Sequence, residues 1–313
     1  MAVTIRDVAR ATGVHVSTVS RSFSAPHLVN PATRDRVLAA ADQLGYRPNR
    51  AARALTTGRT MNLGLIVADI ANPFFPPLIK AAQSHARSHD YHVFVADTDE
   101  DPRAEEELLR TLAKQVDGVI LCSPRLANDQ IVRLAEDVPF VVVNRQVEGL
   151  PWVLMDVAQG AALALEHLRG LGHRRLAYVR GPAGSWTSEE MRAAAEGVPV
   201  IGPNQPTEQG GIAAARAVAD SGATGVLCYN DLVALGLIEG LADLGVRVPA
   251  DVSVVGVDDI LPGRLNRPKL TTVAMPTDAA GRAAVDLLLG AETGPVKLPT
   301  ALIVRESTGE APR

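Results

Sequence analysis

The sequence is poor in the residues on which several function classes depend. Cysteine occurs twice in 313 residues, as Cys122 and Cys228, each inside an apolar run ("VDGVILCS" and "GVLCYN"). That is too few for a disulfide framework or a thiol metal centre, and both read as small buried hydrophobes. Long apolar runs are missing as well, so no segment approaches the roughly 20 residues that cross a bilayer. "MAVTIRDVARATG" at the N-terminus carries charges along its length and no apolar stretch ahead of a cleavage site. No secretory signal is expected, and the protein is expected to be cytoplasmic. Catalytic signatures are equally scarce: there is no GxxxxGK[ST] loop, GxGxxG after a strand, HExxH, CxxC or GxSxG. The histidines (His15, His27, His85, His89, His92, His167 and His173) are scattered. His89 and His92 come nearest to ligand spacing and read as a surface helix end. No catalytic residue, metal or cofactor is expected.

What is present suits two or three globular domains: 47% apolar and 21% charged residues, with no low-complexity tract and no internal repeat. The net charge of −4 conceals an asymmetry. Residues 1–60 hold nine arginines against three aspartates and carry +6, which leaves −10 on the rest. A basic head on an acidic body points to a polyanion that meets the head alone, although a solvated basic face accounts for the charge equally well.

Thr4, the pattern Ile5, Val8, Ala9 and Asp7 three residues after Thr4 predict a capped helix over about 5–11. Gly13 ends it with a left-handed turn, and a second helix begins near His15, which together describe a helix-turn-helix. On that second helix Val19 and Phe23 share one side, and Ser17 and Arg21 the other. In the DNA-binding form of the motif the outer face enters the major groove, where Arg grips guanine and Ser serves base or phosphate. Val16 can reach a thymine methyl, but its wheel position fits the core almost as well. A third helix is punctuated by Asn30, Pro31 and Gly45, with Val37, Ala41 and Leu44 as its apolar stripe. Asn30 and Thr33 lie near enough to its N-terminus to touch phosphate. "NRAARALTTGRT" follows, in which Asn49 caps a helix too short to stand alone in water. Arg50 and Arg53 suit phosphates, and Leu55 an apolar wedge in a minor-groove step.

From Met61 apolar strands ("NLGLIVADI", "YHVFVAD", "VDGVILC", "PFVVVN", "RRLAYVRG", "TGVLCYN", "DVSVVGVDD") alternate with helical stretches at 101–115, 158–171, 208–220 and 231–244. Such a pattern predicts parallel sheets covered on both faces. About ten strands are many for one sheet, so two doubly wound subdomains are expected, splitting near 157–160 and exchanging a late segment. Their ligand cleft should lie where the strands' carboxyl ends face each other. Those ends carry Asp69, Asn72, Phe74, Phe75, Asp97, Asn144, Arg145, Asp156, Asn230, Asp231, Asp258 and Asp259. Carboxylates, carboxamides and aromatic faces together suit a polyhydroxylated ligand. Taken singly, several of them, Asp231 and Asp101 included, read as helix N-caps. "GPAGSWTSEE" (181–190) has the wrong glycine spacing for an anion loop and is expected to line the cleft with Ser185, Trp186 and Thr187.

Nearly the whole chain resembles the lactose/galactose repressor family of bacterial transcription regulators. The resemblance rests on "TIRDVARATGVHVSTVSRSFS", "VNPATRDRVLAAADQLGYRPNRAARALTTGRT", "NLGLIVADIANPFF", "LEHLRGLGHRRLAYVRGP", "YNDLVALG", "VPADVSVVGVDDI" and "LTTVAMP". It implies an all-α helix-turn-helix head over 1–48, a hinge helix and linker over 49–60, and a periplasmic-binding-protein-like α/β body over 61–313. The body's two doubly wound parallel-sheet subdomains are expected at about 61–158 plus 273–291, and 159–272 plus 292–313. The resemblance further implies a homodimer on a near-palindromic operator, with a sugar, polyol or nucleoside effector in the body. Carried over by position, Val16, Ser17 and Arg21 read bases. Thr4, His15, Thr18, Ser20, Ser24, Asn30, Thr33, Tyr46 and Asn49 contact phosphate or frame the motif, while Leu55 wedges the central step. Asp69, Phe74, Phe75, Arg145, Ser185, Trp186, Thr187, Asn230 and Asp258 are carried over to the effector cleft.

Two departures stand out. His15 replaces the serine that usually caps the recognition helix, and the segment at 188–206 is about ten residues shorter than the family pattern. Arg192 is the nearby candidate for the arginine that clamps effector hydroxyls, and Gln205 stands where an aromatic is common. The C-terminus lacks a leucine heptad, so a dimer is favoured over a tethered tetramer. The expected function is a sequence-specific, effector-controlled transcriptional repressor. The alternative is a sugar-binding protein with no DNA role.

Overall fold

The computed structural model describes residues 3–47 and 58–312, and the chain divides into two compact units at Thr60 and Met61. In the first unit, helix α1 (Ile5–Thr12) starts where the Thr4 N–H and hydroxyl both donate to Asp7 Oδ2, at 3.0 and 2.7 Å. Gly13, at φ 65°, turns the chain into α2 (Val16–Ser24). Helix α3 (Pro31–Leu44) begins at Asn30, whose Oδ1 accepts from the Ala32 N–H at 3.0 Å, and stops at Gly45, φ 70°. Val8, Val19 and Val37 are fully buried and, with Ala9 and Ala41, form the core. Leu44 does not belong to it: the side chain is 39% exposed. Gly45 reverses the chain directly after it, the Tyr46 N–H returns to the Ala41 carbonyl at 2.8 Å, and the Tyr46 ring closes on Phe23 with centroids 5.9 Å apart.

The second unit holds two sheets. The first consists of β1 (Asn62–Val67), β2 (His92–Asp97), β3 (Val119–Cys122), β4 (Phe140–Val143), β5 (Trp152–Met155) and β11 (Val296–Leu298), in the order β11-β5-β4-β3-β1-β2 and parallel throughout. Its helices are α4 (Phe75–Ser88), α5 (Pro102–Leu112), α6 (Asn128–Leu134) and α12 (Thr277–Leu289). Leu78, Ala82 and Val285 pack with Leu65 and Val143 on one face, and Leu109 and Ile131 with Ile66, Leu121 and Val142 on the other. With both faces covered, the strands can be apolar at nearly every position.

The second sheet consists of β6 (Leu176–Val179), β7 (Val200–Ile201), β8 (Gly225–Cys228), β9 (Ser253–Asp258), β10 (Thr271–Ala274) and β12 (Ala301–Ile303). Their order is β12-β10-β9-β8-β6-β7, with only β10 and β12 antiparallel. Its helices are α7 (Val157–Gly170), α8 (Trp186–Ala194), α9 (Glu208–Ser221), α10 (Asp231–Asp243) and the short α11 (Leu261–Leu265).

The expected boundaries need correction at the late exchange. Strand β10 pairs with β9 through Ala274, so the second subdomain runs past 272, and β11 pairs with β5, so 296–298 belong to the first. "PVKLPTALIV" reads as one apolar stretch. Pro299 breaks it, since proline has no N–H for the ladder, and the two halves enter different sheets. Among the described residues, no helix is long and apolar enough to cross a membrane.

Candidate functional site

In the head, α2 presents its polar side as its periodicity requires. Val19 is buried and Phe23 half-buried, while Arg21 and Ser20 are exposed. Thr18 and Ser17 are half-buried, and Val16 packs partly against the core, which reduces what it can offer a thymine methyl. The cap is made by the unusual residue itself. His15 Nδ1 accepts from the Ser17 N–H at 3.2 Å and lies 2.8 Å from Ser17 Oγ. An imidazole nitrogen without its proton thus does the work of a capping hydroxyl and also holds the Ser17 hydroxyl. His15→Ala should cost the head about 1 kcal/mol, and His15→Asn, a good capping residue, much less. Thermal unfolding of the two variants checks this; equal losses would mean that the imidazole does not act as a cap.

The remaining frame residues divide. Asn30 caps α3, Thr4 closes α1, Thr33 is half-buried, and the Ser24 hydroxyl donates back to the Ser20 carbonyl at 3.0 Å. Tyr46 is half-buried, and burial raises its phenol above the ordinary range. Asn49, Arg50, Arg53 and Leu55 lie outside the described residues.

In the body, the carboxyl ends of the strands converge as parallel topology predicts. Asn72, Phe74 and Phe75 follow β1, Glu100 follows β2, Ser123 and Arg125 follow β3, and Asn144 follows β4. From the other sheet come Thr187, Pro206, Tyr229 and Asn230, Asp258 at the end of β9, and Met275. Together they enclose about 40 Å³, and Glu100, Arg125 and Pro206 also line an outer space of about 420 Å³. The inner volume holds a water or two, not a sugar. Phe74 and Phe75 stand edge to face, centroids 5.0 Å apart. Three lining residues leave their strands with positive φ: Ser123 at 53°, Asn144 at 61° and Asp258 at 125°. Non-glycine residues rarely adopt such backbone, and its concentration at one cavity marks a site whose geometry the surrounding fold enforces.

Charge in the cleft centres on Arg125. Its guanidinium grips Glu100 with two bonds, Nε to Oε2 at 2.5 Å and an NH2 bond to Oε1 at 2.9 Å, and donates to the Ser123 carbonyl at 2.8 Å. The loop that carries it is fixed from below. Buried Glu105 accepts from the N–H groups of Arg125 and Leu126 at 2.8 and 3.2 Å, and burial raises its carboxyl above the ordinary range. Across the cleft, burial, and after it the neighbouring Asp231, push Asp258 well above the usual carboxylate range. Asp231 is not a cap. Asn230 caps α10, its Oδ1 accepting from the Val233 N–H at 2.8 Å. Asp231 is fully buried, takes bonds from the Thr272 hydroxyl and the Ile260 N–H, and is pushed up to about 7 by burial.

Of the cleft residues expected from sequence, Phe74, Phe75, Thr187, Asn230 and Asp258 line the cavity. The others do not. Asp69 closes its own turn by accepting from the Ala71 N–H at 2.8 Å. Arg145 points beneath the cleft, donating to the carbonyls of Pro124 and Leu126 at 3.3 and 2.7 Å, so it braces the loop whose Arg125 enters the site. Ser185 caps α8 and holds the Tyr229 hydroxyl at 3.0 Å. Trp186 lines a different cavity, with Trp152, Asp156 and Lys297. Arg192 is exposed and pairs with Glu189 at 2.7 Å. The missed residues, Arg125, Glu100 and Tyr229, all sit just past apolar strands, the signal that singled out the others. "SPR" after "VILC" has that position.

Two family models account for the two units. Residues 4–49 match the model for bacterial regulatory proteins of the lacI family, and residues 60–303 that for periplasmic binding proteins and the sugar binding domain of the LacI family. The chain belongs to the LacI family. It is a DNA-binding transcription regulator, not an enzyme. The ribose operon repressor of Halalkalibacterium halodurans is 34% identical over 325 residues, 97% of each chain. Among solved structures, the lac repressor dimer bound to operator and the anti-inducer ONPF aligns with a TM-score of 0.88 at 27% identity, covering 99% of this chain and 100% of that one. A LacI family regulator from Enterococcus faecium with bound ribose aligns at 0.70 and 30% identity, covering 79% and 98%.

Proposed function

We propose that this LacI-family regulator is a cytoplasmic homodimeric repressor whose operator affinity is set by a pentose-class sugar held between the two sheets. The observation that carries the reading is the convergence of nine strand ends on one cavity lined by two phenylalanine rings, three carboxamides, Arg125 and Asp258. Rings stack on the apolar face of a sugar, while carboxamides and charges bond its hydroxyls. The ribose repressor relative and the ribose-bound neighbour support the pentose class. Since the closed cavity holds only about 40 Å³, a sugar must part the sheets, and the subdomain angle then depends on ligand. In the dimer that angle governs how the two heads, with the hinge segments carrying Arg50, Arg53 and Leu55, meet the half-sites.

Arg21 is exposed on the outer face of α2 and reads a base, with Ser17 beside it; the Arg-rich head supplies the phosphate contacts. Arg21→Ala should cost about 1–3 kcal/mol on operator and relax one base position. Gel shifts with operator variants test this, and equal losses on operator and random DNA would overturn the assignment. For the function as a whole, the full chain should shift promoter DNA flanking its own gene, selectively and with steep salt dependence. Ribose should change that affinity and raise the unfolding temperature where nucleosides and hexoses do not. No selective shift at any flanking promoter would refute regulation; a shift insensitive to every pentose would refute the effector class.

A further inference from the structure

We propose that His85, His89 and Asp286 form a binding site for one divalent transition metal of the zinc class at the surface of the first subdomain. His85 lies in the last turn of α4 and His89 is its C-cap, four residues on, so both rings project from the same face and meet edge to face at 5.1 Å. The third group comes from α12. A methyl group on Gly281 would stand 2.5 Å from the Leu78 carbonyl oxygen and 3.1 Å from the Ala82 nitrogen, so the two helices touch backbone to backbone at that point. They run the same way from there: Asp286 is five residues beyond the contact, and its Oδ1 reaches His85 Nε2 at 2.5 Å. One ligand atom from each of the three side chains lies within 4.8 Å of the other two.

With metal–ligand bonds of about 2.0–2.2 Å, tetrahedral ligand atoms stand roughly 3.4 Å apart. An ion therefore takes the place of the proton between His85 and Asp286, those two atoms spread by about 1 Å, and the exposed His89 ring turns in to complete the set. Two imidazoles and one carboxylate select zinc, cobalt, nickel or copper over magnesium and calcium, which prefer oxygen. His89 is exposed, so water completes the coordination sphere. The backbone favours a cation there as well. Helix α4 ends at Ser88 and α12 at Leu289, so both helices direct the negative ends of their dipoles at the cluster. Lys80 and Arg282 border the same groove, but both are exposed and lie about a turn before the cluster. The two histidines of "HARSH" form a helical pair because α4 runs on to Ser88. The spacing of His89 and His92 pointed instead to a bare helix end, and Asp286 is about two hundred residues away.

The ion would join the far ends of two helices whose near ends border the cleft: α4 opens with Phe75, and α12 follows the crossing at Met275. The full chain, freed of metal by chelator and dialysis, is titrated with cobalt(II) by visible absorption and with zinc by thermal unfolding. One equivalent of cobalt should bind with ligand-field bands, and zinc should raise the unfolding temperature. His89→Ala, which removes an exposed side chain, and Asp286→Asn, which keeps a partner for His85 but removes the anionic donor, should each weaken binding at least tenfold; His92→Ala, exposed nearby, should leave it unchanged. If Asp286→Asn does not fold, His89→Ala decides. No saturable binding below about 100 µM metal, or unaltered binding in His89→Ala, would overturn the site.

Discussion

Gly236→Ala should lower the unfolding temperature by about 6–12 °C, the largest stability loss expected of a methyl group added at any glycine of this chain. A Cβ at 236 would sit 1.8 Å from the Glu208 carbonyl oxygen, and one at Gly211, on the facing helix, 2.1 Å from that of Val233. Helices α9 and α10 therefore meet backbone to backbone, with no side chain able to rotate out of the way. Accommodating the methyl means prising the helices apart and loosening Val218, Leu237 and Leu241, all fully buried in the same core. Overpacking of this kind costs about 3 kcal/mol at the upper end of the usual range, and each kcal/mol lowers the transition of a domain this size by about 2–4 °C. Calorimetry checks it. A drop below about 2 °C would mean that the helices separate without disturbing the core.

The second large effect is on the effector. On the pentose reading proposed above, Arg125→Ala should weaken ribose binding by about two orders of magnitude or more, while operator binding without sugar is retained. The arginine side chain is 8% exposed and its partner Glu100 24%, so truncation leaves a carboxylate facing the cavity without its counter-charge. Breaking one member of a buried, doubly bonded pair costs about 3–5 kcal/mol, part of it the stranded charge itself. Arg125→Lys should restore little, since an ammonium cannot reproduce the fork that bridges both Glu100 oxygens. Arg145→Ala should act in the same direction but less, because Arg145 supports the 124–126 loop from behind. Calorimetric titration with ribose separates the two. If Arg145→Ala were the more damaging, Arg145 rather than Arg125 would be the sugar's ligand.

That pair of arginines shows how far the site could be read in advance. Both follow apolar strands, "VILC" and "FVVV", and both are within three residues of a strand's carboxyl end. Strand periodicity places such residues at the cleft rim but does not say which way a side chain leaves a turn. Here positive φ at Ser123 and Asn144 sets the exits, and Glu105, distant in sequence, holds the loop that aims Arg125 into the cavity. Trp186 departs from its expected place for a similar reason: Ser185 caps α8 and fixes the helix start, and the first turn then carries Thr187 to the cleft and Trp186 away from it.

Local information was enough wherever a signal acts over a few residues. The caps at Thr4 and Asn30, the left-handed stops at Gly13 and Gly45, the opposed faces of α2 and the alternation of apolar strands with helices all follow from sequence, because hydrogen bonds, sterics and burial act there within one or two turns. The distribution of charge between head and body belongs to sequence as well. Tertiary structure alone decided which arginine enters the cleft, where the chain changes sheets at Pro299, and that His85 meets Asp286. Those outcomes depend on contacts between segments tens to hundreds of residues apart, where packing determines direction and the local pattern is silent.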